Sequence, residues 1–280
     1  MGETTGTAHV TCEVDGPVAV ITLQRPEKLN AFTFAMVGEL RATVDRAVAD
    51  ERVVGIVLTG SGRGFSAGLD LEDLARSTQG VPASSTPSAP TPDPDELPAL
   101  FSYLLRVPKP VIGAINGVCA GGGFVLAMMC DVRFAAEQAA SFTTTFSKRG
   151  LIAEHGTSWL LPRLVGTSRA LDLLWSARRI DASEAHRIGF VDRLVPDDAL
   201  VAEACAYVRD LAANVSPRSM AMMKQQVYRG LSAPIDVALR EVDAQMANAL
   251  RHPDAAEGVA SFVERRPPRF APWPPPQRGT

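Results

Sequence analysis

With 280 residues, 46% of them hydrophobic and 21% charged, the chain has the make-up of a soluble globular protein, sufficient for one large α/β domain with an appendage. A formal net charge of −3 supplies no basic field for nucleic acid, so that class of partner is set aside. Cys12, Cys119, Cys130 and Cys205 are scattered without a CxxC pair, which argues against a metal site or a disulfide framework and for reduced thiols in the cytoplasm.

The opening MGETTGTAHV has no cationic start followed by an apolar core, so it does not read as a secretory signal. His9 to Val14 and Pro17 to Leu23 read as two strands around Asp15-Gly16, a hairpin signal. The polar loop Gln24 to Ala31 follows, with the cations Arg25 and Lys28. A helix is expected from Thr33 to about Asp50, with Phe34, Val37, Leu40, Val44 and Val48 on one stripe. Val53 to Thr59 is a nearly continuous apolar run, as in a strand covered on both faces.

Gly60 to Leu71, GSGRGFSAGLDL, has four glycines in its first nine positions, so its backbone bends sharply or lies against a ligand. Asp70 reads as the N-cap of a short helix. Ser77 to Pro98 carries six prolines and few apolar residues, and is expected to be a mobile surface excursion near the mouth of a site. A helix from about Glu96 to Leu105 then leads into Pro108-Lys109-Pro110.

Val111 to Cys130 has twenty residues without a formal charge, the length of a membrane span. Its five glycines argue against that, and no membrane partner is expected. The run parses instead as a buried strand (Val111 to Ile115), a glycine-rich turn, and a helix from near Gly122 to Cys130. Adjacent glycines leave no side chain between backbone and ligand, and a helix start aims free N–H groups into the same space. That suits a carbonyl oxygen or an oxyanion; the other reading is that the glycines only permit close helix packing. Beyond Asp131, strands are expected at Val132 to Ala135, Ala139 to Phe146 and Phe190 to Val195. A helix starts at Gly156-Thr157-Ser158 just after Glu154-His155, and helices follow near 168–177, 182–188, 197–213, 216–230, 234–251 and 254–264. Strands first and helices last suggest a sheet-based core with a helical C-terminal part.

FSAGLDL (Phe65 to Leu71) and AINGVCAGGGFVLAMMCD (Ala114 to Asp131) resemble the two signature blocks of the enoyl-CoA hydratase/isomerase family, the crotonase superfamily. The similarity extends to LQRPEKLNAF (Leu23 to Phe32), LLPRLVG (Leu160 to Gly166), Ala182 to Asp192 and the EGVASFVERRPPRF ending, in the family's order. The resemblance implies a crotonase-like spiral of ββα units over 1–195 carrying an acyl-CoA site. It further implies a helical C-terminal trimerisation region over 196–270, an extended tail at 271–280, and a homotrimer or dimer of trimers. Coenzyme A enters as part of the thioester substrate, with no separate cofactor. The thioester carbonyl is expected between the N–H groups of Ala67 and Gly122, each such donor stabilising an enolate by roughly 3–4 kcal/mol. Ala31, Ser66, Gly68, Asp70, Leu71 and Gly121 fall around that hole by motif position. Lys28, with Arg25 beside it, sits where the family receives the CoA nucleotide; the other reading of both is a solvated loop.

Family hydratases use two glutamates. By position these correspond here to Val125 and Phe146, neither of which can transfer a proton, so the two-carboxylate addition of water is in doubt. Glu154 stands where family isomerases and dehalogenases carry a carboxylate aimed at the acyl chain, with His155 next to it. One carboxylate can carry one proton from carbon 2 to carbon 4 of a 3-enoyl thioester. The expectation is therefore an acyl-CoA enzyme that isomerises a double bond with Glu154 as base. The alternatives are a hydratase with non-standard acids and a non-catalytic CoA-thioester binding protein.

Overall fold

The computed structural model describes residues 9–70, 72–73, 75 and 97–273. Leu71 and nearly all of Ser77 to Pro98 lie outside them, as does the tail beyond Trp273.

The turn at Gly16, which has a φ of 56°, joins β1 (Val10–Asp15) to β2 (Val18–Leu23) in an antiparallel hairpin with Val10 opposite Leu23. Helix α1 (Phe34–Ala49) begins where Thr33 caps it, its side chain accepting from the Met36 N–H at 3.2 Å. The buried stripe is Met36, Leu40, Thr43, Val44 and Ala47, turned slightly from the expected one, so that Phe34, Val37 and Val48 become half-buried flanks. At its far end the buried Lys109 donates to the carbonyls of Ala47 (3.1 Å) and Asp50 (2.7 Å), a cation placed on the negative end of the helix. Burial pushes that ammonium down to about 8.

After β3 (Gly55–Gly60), buried throughout, the chain alternates between two sheets. Short β4 (Gly64–Ser66) leaves the first sheet; β5 (Val111–Ile115) returns to it; β6 (Val118–Ala120) leaves again and runs into α2 (Gly122–Met129). Then β7 (Val132–Ala136) and β8 (Ser141–Thr143) repeat the step. The large sheet has the order β1-β2-β3-β5-β7-β10, with β10 at Arg193–Val195, and is parallel apart from the hairpin; the small one has the order β4-β6-β8-β9, with β9 at Ile180–Asp181. This is the expected spiral of ββα units, and the uncharged run at 111–130 is β5, β6 and α2. No helix among the described residues is long and apolar enough to cross a membrane.

The expected helix at 96–105 is a correction. Among the described residues it is only a 3₁₀ turn, Ser102–Arg106. Pro98 offers no N–H, and Ala99 (φ 129°) and Phe101 (φ 65°) are left-handed, so no α-helix passes through them. The expected strands at 139–146 and 190–195 shrink to β8 and to β10 (Arg193–Val195).

Helices α3 (Thr157–Val165) and α4 (Thr167–Ser176) break at Gly166. β9 (Ile180–Asp181) and α5 (Ala182–Arg187) lead to β10, and every described regular element after it is helical: α6 (Leu200–Asn214), α7 (Pro217–Gly230), α8 (Ile235–Ala249) and α9 (Pro253–Glu264). Asp131 ties α7 to the core. Its carboxylate accepts from Lys224 Nζ (2.6 Å), the Tyr228 hydroxyl (3.0 Å) and the Val111 N–H (2.8 Å).

Candidate active site

Three segments meet at the N-terminus of α2. Chain 64–70 leaves β4 and passes across the helix start, while loop 25–32 lies on its other side. Asn30, fully buried with a φ of 55°, donates from Nδ2 to the carbonyls of Ser61 (2.9 Å) and Gly64 (2.7 Å), and its Oδ1 accepts from the Arg25 N–H at 2.8 Å. The Ser66 hydroxyl donates to the Asn30 carbonyl at 2.8 Å. The loop is therefore bonded to its neighbour rather than merely solvated.

Close packing and an unpartnered amide fall on different glycines. A Cβ on Gly123 would stand 2.2 Å from the Ser66 carbonyl oxygen, and one on Gly68 (φ 96°) would stand 2.8 Å from the Ala120 oxygen, so both admit only glycine. A Cβ on Gly122 would meet nothing closer than 3.6 Å, and among the described residues its N–H has no partner. Close packing thus accounts for Gly123 and Gly68, while Gly122 leaves an amide without a partner among the described residues.

The second free amide is not at Ala67, where the expectation placed it. The Ala67 N–H donates to the Leu29 carbonyl at 2.9 Å and is used up. Two residues on, Phe32 pairs with Leu69 in a parallel bridge: the Phe32 N–H donates to the Gly68 carbonyl (2.7 Å) and the Asp70 N–H to the Phe32 carbonyl (2.8 Å). A trans peptide points its C=O and N–H in opposite directions, so the Leu69 N–H is turned away from Phe32. It has no partner among the described residues, and its nitrogen lies 3.6 Å from where a Gly122 Cβ would stand. Leu69 and Gly122 present the adjacent free amides, and both residues are half-open while their neighbours Gly68, Gly121 and Gly123 are buried. Gly121 donates its N–H to Thr143 at 3.1 Å and so belongs to the frame.

Arg25 is bound rather than free. Nη1 reaches the Ala31 carbonyl at 2.6 Å, and Nη1 and Nη2 both reach Asp70 Oδ2 at 3.2 Å. Asp70 also caps the segment behind it, accepting from the Glu72 N–H at 3.1 Å. That bond, and then Arg25, hold the Asp70 carboxyl below the usual range against its burial. Lys28, in a 3₁₀ turn (Pro26–Lys28), is exposed.

At the two positions that correspond to the hydratase acids, Val125 is 0% and Phe146 3% exposed, so both are packed inside and neither side chain can transfer a proton. Glu154 and His155 precede α3 in a turn made of two left-handed residues, His155 (φ 54°) and Gly156 (φ 78°). The Thr157 N–H (3.0 Å) and hydroxyl (2.7 Å) both donate to the Glu154 carbonyl and fix that turn. The turn swings the imidazole back until its Nε2 is 3.7 Å from Glu154 Oε2, and the Glu154 side chain is 42% exposed. His155, Gly156 and Trp159 line a cavity of about 780 Å³ whose other walls include Met129, Leu105 and Met222. That volume lies in the range of small-molecule sites, about 300–1,000 Å³.

The sequence reading missed Leu69 and the roles of Asn30 and Thr157. Asn30 carried one available signal: asparagine tolerates a left-handed backbone, which this loop uses.

The family model for enoyl-CoA hydratase/isomerase matches residues 13–272. A probable enoyl-CoA hydratase of Rhodobacter capsulatus is 39% identical over 259 residues, covering 92% of this chain and 96% of that protein. The 1,2-epoxyphenylacetyl-CoA isomerase of Escherichia coli is 35% identical over 262 residues, again 92% and 96%. Among solved structures, an enoyl-CoA hydratase from Bacillus anthracis superposes with a TM-score of 0.83 at 28% identity, covering 94% of this chain and 99% of that one. With its spiral of ββα units, its paired amides at the start of α2 and these similarities along nearly its whole length, the chain belongs to the enoyl-CoA hydratase/isomerase family.

Proposed function

We propose that the protein moves the double bond of a 3-enoyl-CoA thioester to carbon 2, with Glu154 as the single base. The observation that carries this reading is the pairing of two free amides, Leu69 and Gly122, with a site whose hydratase positions, Val125 and Phe146, are sealed and apolar. The thioester oxygen rests between the two N–H groups. Glu154 removes a proton from carbon 2, the amides hold the negative charge that develops on oxygen, and the same carboxyl returns the proton at carbon 4. One carboxylate suffices, and no water is consumed. Lys28 receives the CoA phosphates, and the cavity beside His155 receives the acyl group.

A second reading, hydration, is favoured by one feature: His155 Nε2 lies 3.7 Å from Glu154 Oε2, so a carboxylate and an imidazole could share one water. Incubation with 3-enoyl and 2-enoyl thioesters separates the readings. Rapid formation of the 2-enoyl product, with slow or undetectable 3-hydroxyacyl product, is expected. Dominant hydration of the 2-enoyl substrate would overturn the isomerase reading in favour of a hydratase. Binding without turnover of either would leave a CoA-thioester binding protein.

The assembly that fits this reading is a homotrimer or dimer of trimers. Support comes from apolar side chains left on the surface of the last three helices, among them Val227 on α7, Ile235 (78% exposed) and Leu239 on α8, and Phe262 (85% exposed) on α9. Such a surface needs a partner. Sedimentation is expected to give at least three times the 29.8 kDa chain mass. A lone monomer at micromolar concentration would count against closed assembly.

A further inference from the structure

We infer that Arg25 is a positioning residue for the oxyanion hole, acting through Asp70 and Ala31 to fix the direction of the Leu69 N–H. The inference rests on the reading of Leu69 and Gly122 as the paired donors, and it gives the guanidinium a different task from binding a CoA phosphate.

The Leu69 donor has no side chain to aim it. Its direction follows from one backbone contact, the Phe32–Leu69 bridge, in which the Gly68 carbonyl is drawn to Phe32 and the Leu69 N–H is thereby turned toward Gly122. Upstream of the bridge, the Ala67 N–H on the Leu29 carbonyl and the Ser66 hydroxyl on the Asn30 carbonyl already join the two segments. At the bridge itself Arg25 adds the side-chain contacts. One arm of its guanidinium holds the carbonyl of Ala31, the residue before Phe32, at 2.6 Å. The same planar group holds the carboxylate of Asp70, the residue after Leu69, with two contacts of 3.2 Å. The fork therefore clasps both segments one residue from the bridge, and its fixed geometry sets their register. The Arg25 and Asp70 side chains are 14% and 11% exposed, so the pair is largely shielded from solvent and salt. With these bonds made, three of the guanidinium's five N–H donors are engaged and its side chain is largely shielded, whereas Lys28 is exposed.

The consequence is specific. Loosening the clasp displaces a donor from the place where charge develops, and a misplacement of about 1 Å can cost on the order of 10²-fold in rate. Substrate binding through the CoA moiety is untouched. Loss of a phosphate contact would do the opposite, raising KM at constant kcat.

The test uses full-length Arg25→Met, Arg25→Lys and Asp70→Asn, each checked for fold by circular dichroism. Two readouts are taken: steady-state kinetics, and the absorbance of bound dimethylaminocinnamoyl-CoA. The absorption band of that thioester moves to longer wavelength as its carbonyl is polarised by hydrogen-bond donors. In the unmodified protein the bound probe is expected to be red-shifted. In Arg25→Met and Asp70→Asn the shift shrinks and kcat falls on the order of 10- to 100-fold, with KM changed by less than about threefold. The double variant is no worse than either single one, because both break the same clasp. Arg25→Lys keeps the charge but cannot bridge both acceptors, so it falls between. Lys28→Ala shifts KM instead.

A raised KM with kcat and red shift intact in Arg25→Met overturns the inference and makes Arg25 a CoA ligand. A fall in kcat with an unchanged red shift also overturns it, since the donor has then not moved. A red shift in the unmodified protein without turnover of any enoyl thioester sinks only the isomerase reading, and the probe still tests the clasp. No red shift in the unmodified protein removes the hole and the inference together.

Discussion

Glu154→Gln is expected to lower turnover of a 3-enoyl-CoA by about 10²-fold or more, the usual scale for losing a general base. Gln keeps the shape of the side chain and cannot accept the proton from carbon 2. KM should change little, since in the proposed reaction the thioester oxygen is held by backbone amides. The fold should be unaffected. The side chain is 42% exposed and its neighbour in the structure is His155 at 3.7 Å, so the contact contributes well under about 1 kcal/mol. Glu137→Gln is the matched control, an exposed acid remote in role from the site. Glu184 serves less well as a control, because it binds Arg178 through both carboxylate oxygens at 2.7 and 2.8 Å. Retention of full activity by Glu154→Gln on both 3-enoyl and 2-enoyl thioesters would end its assignment as the base.

Gly122→Pro should be the more damaging change, with kcat reduced about 10²- to 10³-fold while the protein stays folded. Gly122 is the first residue of α2, the helical position where proline is best tolerated. The added ring removes the free N–H, and its Cβ meets only ordinary contacts at 3.6 Å and beyond. The loss should be the same whether the base is Glu154 or another group, since either reaction builds charge on the thioester oxygen. Gly123→Ala provides the contrast: a Cβ 2.2 Å from the Ser66 oxygen forces α2 away from β4, so lowered thermal stability should accompany any loss of rate. A folded Gly122→Pro variant with wild-type kcat would show that Gly122 is not a donor.

Much of this molecule is decided within short windows of chain. Asp15-Gly16 fixes the hairpin, Thr33 opens α1 where its side chain can cap, and the glycines at 121–123 stop a strand and start a helix. Val125 and Phe146 put the two-carboxylate route in doubt because neither side chain can transfer a proton, and Glu154 is singled out by the family resemblance. The hairpin, cap and helix start follow from local backbone preference, so for them the sequence is enough.

Other features exist only through pairing between distant segments. β4, β6 and β9 have two or three residues each and carry no periodicity of their own; they are strands because a neighbour supplies their hydrogen bonds. The helix expected before Arg106 gives way to left-handed residues at 99 and 101 that its composition does not announce. The choice between Ala67 and Leu69 as donor is of the same kind. Both amides belong to one glycine-rich motif, and which is free depends on which carbonyls Leu29 and Phe32 present or claim from the other side of the loop. Arg25 reads in sequence as a free cation because Asp70, its partner, is 45 residues away. The residue types needed for the chemistry are written in the chain. The directions of its backbone donors are set by tertiary hydrogen bonds, since an N–H group has no side chain in which that information could be stored.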